Sequence, residues 1–397
     1  MDFTFSARAE ELRAEIRRVL RDEWPPGRLG YREPEAELDY EAHKVFRKKL
    51  ARHGWFGIGI PEAYGGRGGT REEQYVVAAE LAYHGVPYPE VALNMVAPNL
   101  LLHASEQMKA RFLPAIAAGE VEFSLGFSEP NAGTDLASLT TSARLDGDEY
   151  VINGQKIYTS YAHRSEYCLM AVRTNPDAPR HQGISLLVVD LLSPGIVISP
   201  LWGMGDIRTN ITFWDGVRVP RENLLGEQDA GWGYLTSHLD FERITSFTVD
   251  ALRAPLDDIL DFVGQEAAEA GEAGEAGEAP LRADPWVRGE VAQLVADTVV
   301  LDTLTRRALW LVESSGHTNY EASEVKILAT ELRQRLTAVG LEVLGRDGQL
   351  SPADPHAPLA GAMLRACEGA VMQTFGAGAN EVQRDIVARR ALRLPRS

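Results

Sequence analysis

The chain has 397 residues, 45% hydrophobic and 24% charged, which is enough to bury a large core divided between two or three domains. Its formal net charge of -17 at pH 7 disfavours a general nucleic-acid-binding surface, because a duplex repels a protein that lacks a dense basic stripe. The composition therefore favours an enzyme-sized protein without nucleic acid as a partner.

The chain begins with MDFTFSARAEELRAEIRRVLRDEW, in which acidic and basic residues alternate on an amphipathic helical pattern. This segment has no apolar core of the kind that a secretory signal needs. The chain also has no run of eighteen apolar residues that would span a membrane. We therefore expect a cytoplasmic protein with no membrane partner.

Cysteine and histidine usage disfavours redox and metal sites. Cys168 and Cys367 are too few for a disulfide framework or an unaided structural zinc site, so we predict buried free thiols. The nine histidines show no HExxH spacing, and isolated ones such as His84 and His238 are typical of ordinary core or surface positions. We predict no metal.

Hydrophobic periodicity divides the chain into three parts. Helical spacing predicts an N-terminal helical domain over residues 1–120. Short β-rich runs then predict a middle β-barrel or sandwich domain over 121–230. Helical spacing resumes and predicts a C-terminal helical bundle over 231–397. The fold class is therefore α+β, with a cleft where the three parts meet.

Two further patterns predict connections. The pairs Asp146-Gly147, Asn153-Gly154 and Asp215-Gly216 favour tight antiparallel turns, because these residue types tolerate positive φ. The acidic repeat EAAEAGEAGEAGEAP, residues 266–280, has no apolar face to bury, and we interpret it as a flexible, solvated loop between two helices.

The segment from Phe123 to Ser160 carries most of the chemistry. Ser128 and Thr134 flank a turn containing Pro and Gly, whose hydroxyls and backbone N–H groups suit a ring edge or a phosphate. An aromatic face and a hydroxyl, those of Tyr158 and Ser160, end the next strand. The set suits a planar cofactor with polar edges, although a purely structural hairpin has the same composition.

This segment, FSLGFSEPNAGTDLASLTTSARLDGDEYVINGQKIYTS, closely resembles the acyl-CoA dehydrogenase family, in which S-E-P-x-A-G-T-D precedes N-G-x-K-x-Y-x-S. Other segments resemble the family in the same order: GWFGIGIPEAYGG, MGDIRTNITFWDGVRVPRENLLGEQDAGWGYL and NEVQRDIVARRALRLPR. The resemblance covers nearly the whole chain. It implies a helical N-terminal domain, a β middle domain, a C-terminal four-helix bundle and bound FAD.

The resemblance also implies contacts between the middle domain and FAD. By position, Phe127 and Ser128 would meet the flavin edge through backbone and hydroxyl, and Thr134 would reach the cofactor pyrophosphate or the substrate. The two residues that end the strand, Tyr158 and Ser160, would pack on the isoalloxazine and hydrogen-bond to it.

The C-terminal part departs from the family pattern. The Arg-x-x-Phe-Gly motif that reaches a neighbouring subunit's FAD is missing, and Arg288 is the nearest substitute cation. Glu342 and Gly345 lie in a segment that resembles the one approaching FAD across the subunit interface, with Glu342 in place of the usual Gln. A carboxylate repels a pyrophosphate unless it is paired, so the sequence argues against direct contact by Glu342.

The loop FGAGANEVQ lacks the carboxylate that serves as base in many family members. Ala377 occupies that position and Ala379 replaces the usual Thr, while Asn380 and Glu381 remain in register with the family's cofactor-binding loop. The isovaleryl- and long-chain-specific relatives also lack a Glu there and take their base from the preceding helix, immediately before an Arg. In this chain that position, in LDFER, is Glu242.

Helical spacing supports the same residue independently. Glu242 is the one ionisable group on a predicted helical stripe made of Leu235, Leu239, Glu242, Ser246 and Val249. A carboxylate on an apolar face is desolvated, which raises its pKa and suits a general base. The structural alternative is that Glu242 pairs with Arg243 or with a cation on a partner helix.

The resemblance implies that Glu242 removes the α-proton of an acyl thioester while the β-hydride passes to the flavin, giving a trans-2-enoyl thioester. The backbone N–H of Ala377 would donate to the thioester oxygen. Asp240 and Arg243 match positions that bind the pantetheine and nucleotide part of the carrier, with an intrahelical partner role for Arg243 as the alternative.

The family reading implies a homotetramer, or a homodimer, that passes electrons to an electron-transfer flavoprotein. Three other readings stay open from the sequence. The substrate is carried by an acyl carrier protein rather than by CoA; the chain is a catalytically silent subunit that lends FAD contacts to an active partner; or the fold serves a flavin monooxygenase or a nitroalkane-type oxidase.

Overall fold

The computed structural model describes residues 3–23, 40–86, 89–237, 239–273 and 281–395, with side chains except at 42, 43, 46, 237–242 and 266–273. The N-terminal part is helical. Its elements are α1 (Ala7–Glu23), α2 (Tyr40–Ala51), α3 (Arg71–Tyr83), a π-helix (Val91–Val96), α4 (Ala97–His103) and α5 (Glu106–Ala117).

Local sequence explains where these helices form. The predicted first helix is confirmed as α1, which buries Leu12, Ile16 and Leu20 on one stripe. Helix α3 begins at a capping box, in which the Thr70 side chain accepts from the Glu73 N–H and the Glu73 side chain accepts from the Thr70 N–H. Both helices contribute to the N-terminal core.

The middle part is an eight-stranded sheet. Seven strands follow one another in the order β6-β7-β3-β2-β4-β5-β8, and the eighth, β1, pairs with β4. The strands are β1 (Phe123–Gly126), β2 (Ser142–Asp146), β3 (Glu149–Lys156), β4 (Tyr167–Arg173), β5 (Ile184–Asp190), β6 (Ile196–Trp202), β7 (Arg208–Pro220) and β8 (Leu224–Leu225).

One of the three predicted turns is confirmed and two are wrong. Gly147, at φ 63°, turns the chain between the antiparallel strands β2 and β3. Asn153-Gly154 instead lies inside β3 and Asp215-Gly216 inside β7. The register between these strands shifts there, and the Gly216 N–H donates to Asn153 Oδ1 at 2.9 Å. The same tolerance of positive φ therefore forms a bulge here rather than a turn.

The sheet curves around a core of its own. Side chains from β3, β4, β5 and β7, among them Ile152, Met170, Leu187 and Trp214, meet in one buried cluster. Cys168 is buried in this cluster, as predicted, and burial raises the pKa of its thiol to about 12. The other thiol departs from the prediction, because Cys367 is only half-buried.

The C-terminal part is a helical bundle, and the predicted α+β architecture is confirmed. Its helices are α6 (Gly231–Ser237), α7 (Leu239–Ser246), α8 (Asp250–Ala273), α9 (Pro285–Ser315), α10 (Glu321–Leu344), α11 (Ala362–Gln373) and α12 (Asn380–Arg390). Helix α10 is central, because it contacts α7, α8, α9, α11 and α12. Within the described ranges, no helix is both long and apolar enough to cross a membrane.

Two sequence-based expectations for this part are wrong. Residues 266–273 of the predicted acidic loop continue α8, since Ala and Glu are strong helix formers, and 274–280 lie outside the described residues. The stripe predicted on a single helix is divided, because α7 ends at Ser246 and Val249 lies in a turn before α8. Leu235 and Val249 are both buried, so the apolar pattern reflects packing of separate elements.

Candidate functional site

The loop after β1 is fixed to the segment after β3. The turn at Pro130-Asn131 is closed by reciprocal backbone hydrogen bonds between Glu129 and Ala132, each 3.0 Å long. The Ile157 N–H donates to the Ser128 carbonyl at 3.0 Å. These bonds bring Ser128 beside the segment that carries Tyr158.

A buried ion pair lies beneath this loop. The Lys156 side chain is 0% exposed, and its Nζ donates to Glu129 Oε1 at 2.8 Å and to the Phe127 carbonyl at 3.0 Å. Glu129 also accepts from the N–H and hydroxyl of Thr140 and from the N–H of Thr141. Both Glu129 and Lys156 belong to the motifs quoted from the sequence, yet they bind each other rather than facing a ligand.

This network keeps Glu129 ionised. Burial acts to raise the pKa of its carboxyl, but the Lys156 ammonium and the hydrogen bonds from Thr141 and Thr140 outweigh burial and hold the pKa at about 2. The negative charge is therefore compensated inside the protein, where Glu129 is only 7% exposed.

The surface above the ion pair has the chemistry that a flavin requires. Strand β3 ends at Lys156, and Tyr158 follows it with φ 57° and a 63% exposed side chain. The hydroxyls of Ser128 and Ser160 are half-buried there, Ser160 Oγ lies 3.1 Å from Thr209 Oγ1, and Thr134 is exposed. An exposed aromatic face fits the isoalloxazine ring of FAD. Neighbouring hydroxyls and an internally neutralised carboxylate fit the ring edge and the FAD pyrophosphate.

A second polar network supports the same segment from behind. The buried Asn210 side chain donates to the Thr159 carbonyl at 2.9 Å and to His163 Nδ1 at 3.1 Å. The other ring nitrogen of His163 lies 3.1 Å from the hydroxyl of Tyr40 on α2. Burial, with Arg208 and Arg164 nearby, lowers the pKa of His163 to about 4. A neutral histidine thus joins the N-terminal and middle domains next to Ser160.

The middle sheet approaches the C-terminal loop through α11. A Cβ at Gly205, which has φ 71°, would lie 3.0 Å from the Gly369 backbone N and 3.1 Å from the Arg365 carbonyl. Only glycine fits this approach without displacement. The close packing places the middle of α11 against the segment that joins β6 to β7.

That loop holds Ala377 in a strained conformation. Ala377 has φ 52°, in the left-handed region, and Gly378 follows with φ 87°. Arg243 of α7 is buried, and its Nε donates to the Ala377 carbonyl at 3.4 Å. Within the described part of the chain the Ala377 N–H has no acceptor, so this donor is open.

The remaining predicted residues of the loop differ in exposure. Ala379 caps α12 and is half-buried, and Glu381 is exposed in the first turn. Asn380 between them is buried and donates to Thr330 Oγ1 at 3.0 Å. The loop is therefore attached through Asn380, while Glu381 faces outward.

Glu342 and Gly345 do not join this site within one chain. Both are exposed at the end of α10, and Gly345 has φ 65°. Glu342 comes 16 residues after Lys326, which contacts the Ala377 loop, and this spacing is roughly 24 Å along the helix axis at 1.5 Å per residue. Arg288, the substitute cation, is exposed on α9. Within the described part of one chain, Glu342 and Gly345 therefore lie apart from the Ala377 loop.

The predicted base lies on an element that reaches the site. Helix α7 carries Asp240, Glu242 and Arg243, and it contacts both α10 and the π-helix. The side chains of Asp240 and Glu242 lie outside the described part of the structure. Arg243 has a partner that neither sequence alternative named, the Ala377 carbonyl.

Sequence reasoning missed the two buried lysines of this region, Lys156 and Lys326. Lys326 on α10 is 0% exposed and donates to the Thr374 carbonyl and to Asn380 Oδ1. A signal was present, because Lys326 is flanked by apolar residues on a helix whose neighbouring positions pack in the core. The acceptors of both lysines come from distant segments, which periodicity does not reveal.

Comparison with known proteins identifies the family. Residues 6–120 match the acyl-CoA dehydrogenase N-terminal domain, 124–217 the middle domain and 229–392 the C-terminal domain. Acyl-CoA dehydrogenase FadE26 of Mycobacterium tuberculosis (strain ATCC 25618 / H37Rv) is 36% identical over 412 residues, covering 100% of both chains.

Solved structures give the same result. The Tcur3481-Tcur3483 steroid ACAD is 35% identical with a TM-score of 0.88, and the ChsE4-ChsE5 complex from Mycobacterium tuberculosis is 36% identical with a TM-score of 0.87. Each comparison covers 100% of both chains. With three matching domains and relatives of this identity, the chain belongs to the acyl-CoA dehydrogenase family of FAD-dependent oxidoreductases.

Proposed function

We propose that the chain catalyses α,β-dehydrogenation of an acyl-CoA with Glu242 as the base. The observation that carries the proposal is the hydrogen bond from Arg243 Nε to the Ala377 carbonyl, 3.4 Å long. It joins the helix that bears Glu242 to the loop that bears an open N–H. A base and an oxyanion donor have to meet at one thioester, and these two elements are in contact.

The proposed chemistry divides between the two elements. The Glu242 carboxylate takes the α-proton, and the electron pair of that C–H bond forms the new double bond. The Ala377 N–H donates to the thioester oxygen as negative charge develops on it, and such a donor is worth about 3 to 4 kcal/mol in other enzymes. FAD, when bound, accepts the hydride that leaves the β-carbon.

We propose that the middle domain presents the flavin surface. Tyr158 packs on the isoalloxazine, Ser128 and Ser160 bond to its edge, Phe127 contributes its backbone, and Thr134 lies toward the pyrophosphate or substrate. Ala379 and Glu381 border the same cofactor from the C-terminal loop, while Glu342 and Gly345 face the FAD of a neighbouring subunit. Support comes from the Tyr158 side chain, which is 63% exposed although aromatic.

The relatives bear on the substrate and the assembly. The Tcur3481-Tcur3483 relative is a steroid ACAD, so we propose a thioester whose acyl chain is attached to a bulky ring system. Two 35–36% identical relatives are named as pairs of different chains. Because this chain lacks Arg-x-x-Phe-Gly, we propose that a second, different subunit of the same family supplies that contact, in place of the homotetramer predicted from the sequence.

The decisive experiment is anaerobic flavin reduction. Protein saturated with FAD is mixed with butyryl-, octanoyl-, isobutyryl- and cyclopentylpropionyl-CoA, and with the same acyl groups on an acyl carrier protein. Bleaching is expected to be fastest with cyclopentylpropionyl-CoA, the ester that carries a ring. Electron-transfer flavoprotein should reoxidise the product complex faster than air. FAD-loaded protein that no thioester bleaches would contradict the proposal in favour of a silent subunit, and rapid reoxidation by air would favour a monooxygenase.

The assembly is tested separately by native mass spectrometry and FAD content. Expressed alone, the chain is expected to hold less than one FAD per chain. A homotetramer that retains one FAD per chain through gel filtration would contradict the second-subunit proposal without affecting the dehydrogenation proposal.

A further inference from the structure

One buried ammonium holds both ends of the loop that carries Ala377. Lys326 Nζ lies 2.9 Å from the Thr374 carbonyl oxygen and 2.6 Å from Asn380 Oδ1. These acceptors stand immediately before and after residues 375–379. The Lys326 side chain is 0% exposed, so both bonds are shielded from water and strengthened by the low local dielectric.

Further contacts attach the same loop to α10. The Asn380 N–H donates to the Thr374 carbonyl at 2.8 Å, which closes the loop on itself. Gln383 Nε2 donates to the Gly378 carbonyl at 3.2 Å, and Gln383 Oε1 accepts from Ser323 Oγ at 2.9 Å. The loop therefore rests on one face of α10 through polar bonds, with Lys326 at their centre.

The middle of the loop needs this support. Ala377 has φ 52° although it is not glycine, and a residue in that region persists only where its surroundings fix it. The fixed ends leave the Ala377 N–H without an acceptor in the described part of the chain. A strained peptide with an open N–H, beside the helix that bears Glu242, is arranged as a preorganised donor.

We propose that Lys326 is a positioning residue for the dehydrogenation, which holds the Ala377 N–H where it donates to the thioester oxygen. The inference rests on the proposed function. Lys326 itself does not contact the substrate. Its removal leaves the loop free to move, and a misplacement of about 1 Å in a reacting group costs roughly 100-fold in rate.

The test separates proton removal from hydride transfer. The probe is the 3-thia analogue of whichever panel acyl-CoA bleaches wild-type flavin fastest. Sulfur replaces the β-carbon, so the α-proton can leave but no β-hydride is available, and the enolate stacked on flavin gives a long-wavelength absorption band. The pH dependence of that band gives the equilibrium constant for enolate formation.

Lys326→Met is expected to lower this constant about 10-fold or more, with a smaller change in affinity for the analogue. In FAD-free protein, amide hydrogen exchange over residues 375–379 should also become faster. The control is Leu336→Ala, which opens a cavity at a buried position of the same helix and should leave both readouts as in wild type. If Lys326→Met does not fold, Asn380→Ala removes one of the two acceptors and should show the same change at smaller size.

Each outcome decides the inference. An unchanged enolate constant in folded Lys326→Met, or in Asn380→Ala where only that variant folds, overturns it. An equal loss in Leu336→Ala also overturns it, because the effect then follows stability alone. FAD-loaded wild-type protein that no thioester bleaches refutes the proposed function before any variant is compared.

Discussion

The loop after β1 and the loop before α12 are each held by a lysine that is 0% exposed, but the two lysines bind different kinds of partner. Lys156 bonds to a carboxylate and a carbonyl two residues apart, those of Glu129 and Phe127. Lys326 bonds to a carbonyl and an amide at the two ends of a loop. The first arrangement fixes one short segment, and the second fixes two ends and leaves the strained Ala377 between them.

The difference matches the chemistry proposed for each loop. A flavin surface has to remain in place through the whole reaction, and an ion pair whose Glu129 carboxylate accepts four hydrogen bonds makes it rigid. A donor to a developing oxyanion has to point its N–H at the substrate, so that N–H cannot donate to another group of the protein. Buried lysines thus serve rigidity in one loop and preorganisation in the other.

The largest expected effect comes from breaking the ion pair. Lys156→Met leaves the Glu129 carboxylate buried without its cation, which is expected to reduce the free energy of unfolding by about 3 to 5 kcal/mol. Urea unfolding measures it, with the exposed Lys48→Met as the control. Adding Glu129→Leu to Lys156→Met should restore much of the loss, since the unpaired charge is then gone. A loss below about 1 kcal/mol in Lys156→Met would show that the pair does not hold the loop.

The same pair predicts a pH dependence. The pKa of Glu129 is held at about 2 in the folded protein, below the ordinary value of 4.5. A lowered folded-state pKa gives stability that is present above pH 4.5 and is lost as the pH falls toward 2, here about 3 kcal/mol. Urea midpoints between pH 5 and pH 2.5 should fall more steeply in wild type than in Glu129→Gln. Parallel curves would contradict the pairing.

Sequence reasoning reached the domain order, the family and the β-rich middle part because these depend on periodicity and local motifs. It placed Asn153-Gly154 in a turn rather than in a bulge of β3. Turns and bulges both favour residues that tolerate positive φ, so the residue types alone do not distinguish them. It missed the contact between Arg243 and Ala377, which are 134 residues apart. Motifs identify the residues, but their partners across the fold are set by packing.

A smaller effect is expected on the flavin surface itself. Tyr158→Ala removes the exposed ring proposed to cover the isoalloxazine, and FAD affinity should fall roughly 10-fold, because aromatic stacking contributes about 0.5 to 1.5 kcal/mol beyond area burial. Fluorescence titration of FAD-free protein gives the dissociation constant. Tyr158→Phe keeps the ring and serves as the control. Equal affinities in all three proteins would remove Tyr158 from the flavin surface.

The most direct test of the account is anaerobic flavin bleaching by Glu242→Gln with the best acyl-CoA of the panel. Gln keeps the size of the side chain but has no basic electron pair, so substrate should still perturb the flavin spectrum while bleaching slows by about 100-fold or more. Glu11→Gln, a change at an exposed carboxylate on α1, is the control and should bleach normally. Adding Ala377→Glu to Glu242→Gln should restore part of the rate, because relatives abstract the same proton from that position. Bleaching at the wild-type rate in Glu242→Gln would contradict the assignment of the base.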